Sequence, residues 1–202
     1  CDSPTELMKA VYNGQAEYGV SDTVVLMNLS CYDKQFEINF NLTGGFDMAV
    51  AFAPNNTKLC DKFNMFLIQI KSDGTWDDMI DRWCRNQVDS TTTMPVLEQP
   101  KGRPIEVATL ADNLPFCCIK DNVPSGLEAE MMMRFAQYIN KPVHFSAYNF
   151  NEIIGFRYVN NENTACYKFG NWKRCMAGTK EAEIIPKLKK TLTSISIAIF
   201  VG

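Results

Sequence analysis

Residues 105 to 148 read IEVATLADNLPFCCIKDNVPSGLEAEMMMRFAQYINKPVHFSAY, and the order of elements in this stretch decides the fold class. Ile105 to Thr109 reads as a strand, Ala111 to Pro115 as a loop, Phe116 to Ile119 as a second strand and Asp121 to Gly126 as a turn. Glu128 to Asn140 is an amphipathic helix that turns Met131, Met132, Phe135, Tyr138 and Ile139 inward, and a strand from Val143 to Tyr148 follows it. Strand, helix, strand implies a parallel crossover of right-handed sense, the unit of an α/β sheet.

Working back from Ile105, residues 86 to 103 carry turn formers and prolines without periodicity and read as a linker. Before it, Trp76, Met79, Ile80 and Trp83 make the buried face of a helix over 75–84, with Thr75 and Asp78 spaced as a capping box. Leu59, Phe63, Phe66, Leu67 and Ile70 form one stripe of a helix over 56–72, which Pro54-Asn55-Asn56 caps and Gly74 ends. Phe46 to Phe52 alternates as a strand. Nearer the start, Pro4 to Tyr12 is helical and stops at Asn13-Gly14, Ala16 to Val20 reads as a strand, and Ser21-Asp22-Thr23 is suited to cap a short helix. On the other side of the central stretch, residues 160 to 178 are polar and weakly patterned, and Ile195 to Val201 is a final strand.

The whole chain of 202 residues, 46% apolar and 21% charged, has the composition of a folded domain. Its 20 Lys and Arg against 23 Asp and Glu leave a net charge of −3, with no basic face for nucleic acid. No stretch approaches the eighteen or more apolar residues of a membrane span. Eight cysteines, at 1, 31, 60, 84, 117, 118, 166 and 175, include no C-x-x-C, and His144 is the one histidine, so no metal site is expected. The even count permits disulfides, for example Cys166 with Cys175, but buried thiols account for the spacing equally well. Asn28, Asn41 and Asn55 open N-x-S/T triplets, which matter only in a eukaryotic secreted protein. Nucleophile-elbow, Walker and H-E-x-x-H motifs are missing, and neither a cofactor nor an enzymatic activity is expected.

Three stretches together resemble the type II periplasmic solute-binding proteins of family 3, which serve amino-acid ABC importers. Ile105 to Phe116 followed by Lys120 to Met132 resembles that family's opening strand, its Pro-Phe loop, its hairpin and the start of its first helix. Asp47-Met-Ala-Val-Ala-Phe52, with Leu67 to Trp76 and Asp81-Arg-Trp83, resembles its last crossover strand and closing helices. Asn13 to Asp22 resembles a stretch leading to an aspartate of the second lobe. The order is unusual: residues 1–85 resemble the end of a module and 104–202 its N-terminal lobe, so the chain either straddles two tandem modules or is circularly permuted. The first half of the second lobe has no counterpart, and a dimer is one way to complete it.

The resemblance implies an α/β fold of periplasmic-binding-protein-like lobes with a mixed, mostly parallel sheet flanked by helices. It implies an extracytoplasmic solute-binding role for an amino acid or similar polar or cationic solute, with an ABC permease or a sensor as partner. Cys1 followed by Asp2-Ser3-Pro4 is how a lipoprotein looks after cleavage at its acylated cysteine, and a fragment beginning there reads the same. Asp22 stands where the family's aspartate pairs with a ligand ammonium, or else it caps the helix from Thr23. Asp112 and Asn113 stand where many relatives carry an aromatic ring, and Phe116 lines the cleft or belongs to the core. The family's Thr-x-x-Arg has only Thr179-Lys180 as its counterpart, so Lys180 is either a substitute cation or a solvated surface lysine; Arg157 and Arg174 are other cations near it in sequence.

Two further classes compete. A cyclohexadienyl dehydratase shares the fold and requires a carboxyl of raised pKa, for which Glu128, Glu130 and Asp112 are the candidates, although the helix dipole accounts for both glutamates. An interaction domain without a ligand is the third reading.

Overall fold

The computed structural model describes residues 1, 3–32, 49–52, 56–85 and 92–148, together with the backbone of the strands at 158–160, 163–165, 173–175 and 198–201. The architecture is α/β: helices pack on a mixed five-stranded sheet, beside a three-stranded and a two-stranded antiparallel sheet.

Helix α1, Pro4–Tyr12, begins at Ser3, whose hydroxyl accepts the Glu6 N–H, and ends at Asn13 with Gly14 at φ 68°. The strand expected over 16–20 does not form. Instead the segment folds back on α1, with Gly19 so close that a Cβ there would stand 3.2 Å from Leu7 Cγ. Helix α2, Thr23–Tyr32, follows, and strand β1, Ala49–Phe52, is the described part of the strand expected over 46–52.

Helix α3, Thr57–Ser72, buries Phe63, Phe66, Leu67 and Ile70 of the expected stripe together with Cys60, whereas Leu59 is only partly buried. Its neighbour α4, Thr75–Ile80, does not use the Thr75–Asp78 capping box. Gly74 in the left-handed region makes the entry, and Asp73 Oδ1 accepts the Thr75 N–H at 3.0 Å. A π-helical turn, Asp81–Arg85, extends α4 and carries Trp83 into the core. Trp76 is half-buried, with Lys71 Nζ 5.5 Å from its ring centre.

After residue 103 come β2, Ile105–Leu110, the two-residue β3, Asp112–Asn113, and the hairpin of β4, Cys117–Lys120, with β5, Val123–Ser125. Asp121 and Asn122 join the hairpin with φ of 52° and 62°, as a two-residue turn of the primed type requires. Helix α5, Leu127–Tyr138, then leads to β6, Val143–Tyr148, which pairs parallel with β2 over its full length. Four further strands are β7, Tyr158–Asn160, β8, Asn163–Ala165, β9, Lys173–Cys175, and β10, Ala198–Val201.

The large sheet runs β6-β2-β10-β1-β9. Its pairings divide evenly: β2 with β6 and β1 with β10 are parallel, whereas β10 with β2 and β1 with β9 are antiparallel, so the sheet is mixed rather than mostly parallel. Residues before 86 and after 103 thus share one sheet, and they share one core as well. Phe63 meets Phe135 edge-on at 5.0 Å, Phe52 lies 5.5 Å from Phe63, and Phe66 lies 5.5 Å from Phe135, so α3 is fastened to both β1 and α5. The chain over 92–103 has no regular structure, as expected of a linker, yet it is tied to α5: Gln137 Nε2 donates to the Glu98 carbonyl at 2.6 Å, Gln99 Nε2 approaches the Met133 carbonyl at 3.4 Å, and Met94 packs on the core.

Candidate functional site

The first turn of α5 concentrates the buried polar chemistry of the described residues. Gly126 makes this possible. At φ 114° a Cβ there would lie 2.4 Å from the Phe116 carbonyl oxygen, so only glycine lets the helix start approach the loop after β3. The Leu127 N–H donates to the Pro115 carbonyl at 2.9 Å and the Glu128 N–H to the Phe116 carbonyl at 2.8 Å. These donors are therefore spent on the chain's own loop rather than offered to an anion.

Glu128 and Glu130 are both fully buried, but in opposite surroundings. Glu130 Oε1 and Oε2 each accept from Arg82 NH1 at 2.8 Å; Oε2 also accepts from Trp83 Nε1 at 2.7 Å, and Oε1 from Arg134 Nε at 2.9 Å. Arg134 NH2 adds an ion pair at 2.8 Å. Two guanidinium groups and an indole enclose this carboxylate, which makes it a structural anion.

Glu128 instead faces Thr109 of β2, whose hydroxyl is 3.4 Å from Oε2, while Oε1 has no hydrogen-bond partner among the described residues. Burial pushes its pKa up from 4.5 to about 8, and only the Thr109 hydroxyl opposes the shift. The Cys117 thiol of β4 lies against the same pair. Burial raises it well above the ordinary thiol range, and the neighbouring Glu128 raises it further. The result is a neutral acid, a neutral thiol and a hydroxyl in one buried cluster. Burial likewise pushes Cys84 up to about 11, so neither thiol is a thiolate near neutral pH. The helix dipole, which the sequence offered for both glutamates, explains neither one: paired cations hold Glu130, and Glu128 is enclosed by uncharged groups. The sequence did carry a clue, since both acids interrupt the apolar run Leu127, Ala129, Met131, Met132, whose members all come out buried.

The residues singled out for ligand binding are dispersed. Asp22 is half-buried just before α2, where its carbonyl accepts the Leu26 N–H; burial raises the pKa of its carboxyl. Asp112 is exposed on β3 opposite Cys118, and Asn113 is buried beside it, its carbonyl accepting the Phe116 N–H at 2.9 Å. Phe116, only 6% exposed, belongs to the core cluster rather than to an open surface. Helix α1 packs beside β3, which brings the first segment of the chain next to the Asp112–Asn113 loop. Lys180 and Arg157 lie outside the described residues, and of Arg174 only the backbone is described. His144, on β6, is exposed and pairs through Nδ1 with Glu106 Oε2 at 2.6 Å, directly across the strands. On α3, Cys60 is disulfide-bonded. Comparison with protein families, curated proteins and solved structures finds nothing that matches this chain.

Proposed function

We infer that the chain is an extracytoplasmic solute-binding module of the type II periplasmic kind, taking an amino acid or a similar polar or cationic solute and serving an ABC permease or a sensor. One observation carries this reading. The segments that resemble the two ends of such a module, out of order in the chain, come together as one lobe: β1 joins the sheet of β2 and β6, and α3 and α4 close on α5.

Other features support it. The loop bearing Asp112 and Asn113 leaves the C-terminal end of β2, beside its parallel partner β6, where open α/β sheets place their ligands. Asp22 is an acid partly withdrawn from water, whose charge a ligand cation would compensate. A disulfide at Cys60 accords with an oxidising compartment and with a lipid-anchored or periplasmic location.

Thermal-shift and calorimetric screening with amino acids, polyamines and small peptides tests the reading. A true ligand at a hundred times its dissociation constant should stabilise the wild type by about 2.7 kcal/mol. Asp22→Ala should cost several kcal/mol of affinity and about 1 kcal/mol or less of stability. If no compound shifts the wild type, the chain is an interaction domain without a solute. A dehydratase-like activity is the second reading, and Glu128, an acid held protonated, is what favours it. Turnover of prephenate or arogenate that vanishes in Glu128→Gln would establish it.

A further inference from the structure

Glu128 sits where the first turn of α5 meets the loop that ends at Phe116. The groups that face it are the Thr109 hydroxyl from β2 and the Cys117 thiol from β4. Of the charged groups on the elements packed around α5, Arg82 and Arg134 hold Glu130, Arg85 holds Asp81 and Glu106 holds His144, whereas Lys58, Asp61, Lys62 and Lys71 of α3 and Asp77 and Asp78 of α4 are exposed to solvent. Hairpin strand β5 contributes Val, Pro and Ser, none of them titratable. An ionised Glu128 would thus be a fully buried charge without a countercharge among the described residues, which is the costly state of a carboxyl.

We propose that Glu128 is a proton-held latch: as a neutral acid it seats the first turn of α5 against the loop of Pro115 and Phe116, and on losing its proton to solvent it lets that turn lift away. The lifted turn exposes the carboxylate to water, which supplies the hydration that the closed form denies it. The buried carboxyl binds its proton more tightly than a free one does, so the seated form is fully favoured below about 4.5. That preference is lost progressively as pH rises toward about 8, and beyond this the effect levels off. The loop that would be released follows directly on Asp112 and Asn113 of β3, so the latch couples proton concentration to the segment that leaves the end of β2.

Amide hydrogen exchange of Leu127 and Glu128, followed by NMR on the full chain between pH 5 and 9 and corrected for the intrinsic base-catalysed rate, reads the latch directly. These are the two N–H groups that the closed turn donates to the Pro115 and Phe116 carbonyls. In the wild type the opening constant should rise about tenfold per pH unit and then level off near pH 8. In Glu128→Gln it should stay flat. A flat profile in the wild type, or the same rise in Glu128→Gln, overturns the proposal. Thr109→Val gives an independent check should the glutamine variant not fold: removing the Thr109 hydroxyl, which lowers the carboxyl's pKa, should move the levelling-off to higher pH. An unmoved or lowered plateau would count against the latch.

Discussion

Glu130 offers the sharpest quantitative test of how the closing helices are held. Its carboxylate is fully buried, accepts four hydrogen bonds from Arg82, Trp83 and Arg134, with a further ion-pair contact to Arg134 NH2, and bridges α5 to the π-helical turn 48 residues earlier in sequence. Truncation to alanine removes the anion and leaves two guanidinium groups and an indole N–H behind. Breaking a buried ion pair costs roughly 3–5 kcal/mol. The Arg82 and Arg134 side chains are 31% and 25% exposed, so they regain some hydration and the ionic loss falls toward the lower end. Trp83 is only 1% exposed, and its orphaned N–H adds about 1 kcal/mol or more. The expected total for Glu130→Ala is therefore about 4 kcal/mol, with Glu130→Gln near half of that because it keeps the volume and one acceptor. Urea unfolding followed by tryptophan fluorescence measures both. Replacing Arg82, Glu130 and Arg134 together by methionine should restore much of the loss, since no charge is then left unpaired. A loss below about 1 kcal/mol for the alanine variant would refute the view that this anion fastens α4 to α5.

Gly126→Ala should destabilise by about 2 kcal/mol or more, because both φ and the contact with the Phe116 carbonyl forbid a Cβ. Gly14→Ala, with open space around it but φ of 68°, should cost only about 1 kcal/mol, and thermal melting compares the two. Phe63→Ala should cost about 3–5 kcal/mol in the same unfolding assay, since Phe63 joins Phe52, Phe66 and Phe135 in one aromatic cluster. Cys60 should resist alkylation in the unfolded but unreduced chain and become labelled after reduction; labelling without reduction would disprove its disulfide. Reduction should lower stability by about 2–5 kcal/mol.

Local patterns carried much of the architecture. The stripe from Phe63 to Ile70 fell on the buried face of α3, and Val143–Tyr148 is a strand with the expected bounds, because apolar periodicity records which face meets the core. Partner-dependent features were not legible. Ala16 to Val20 has strand-like composition, but a strand exists only if another strand pairs with it, and here α1 provides the contact surface instead. Thr75 and Asp78 have capping-box spacing, yet Asp73 takes the capping bond since the chain enters α4 through a left-handed glycine. The antiparallel pairing of β10 with β2 joins segments at opposite ends of the region after residue 103, and nothing local encodes it. Among the candidate site residues, the position of Asp112 and Asn113 beyond β2 follows from the strand pattern. The burial of Phe116 depends on how closely Gly126 brings α5 to it.

The two glutamates of α5 show why residue type and helix position do not determine an electrostatic role. Both belong to the first turn, where a dipole argument treats them alike. Two positions along a helix turn a side chain through about 200°, so one acid faces the π-helical turn after α4 and the other faces β2 and β4. What packs on each face then decides the outcome. The π turn supplies Arg82 and Trp83, and Arg134 one turn along α5 completes the set, so Glu130 ties the segment before residue 86 to the lobe after residue 103. The sheet supplies a hydroxyl and a thiol, neither of which can stabilise a charge as a cation does, so Glu128 keeps its proton near neutral pH and its seating becomes sensitive to acidity. A single helix thereby carries a permanent tether on one side and a proton-dependent contact on the other, and the second of these bears on the loop that leads to Asp112 and Asn113.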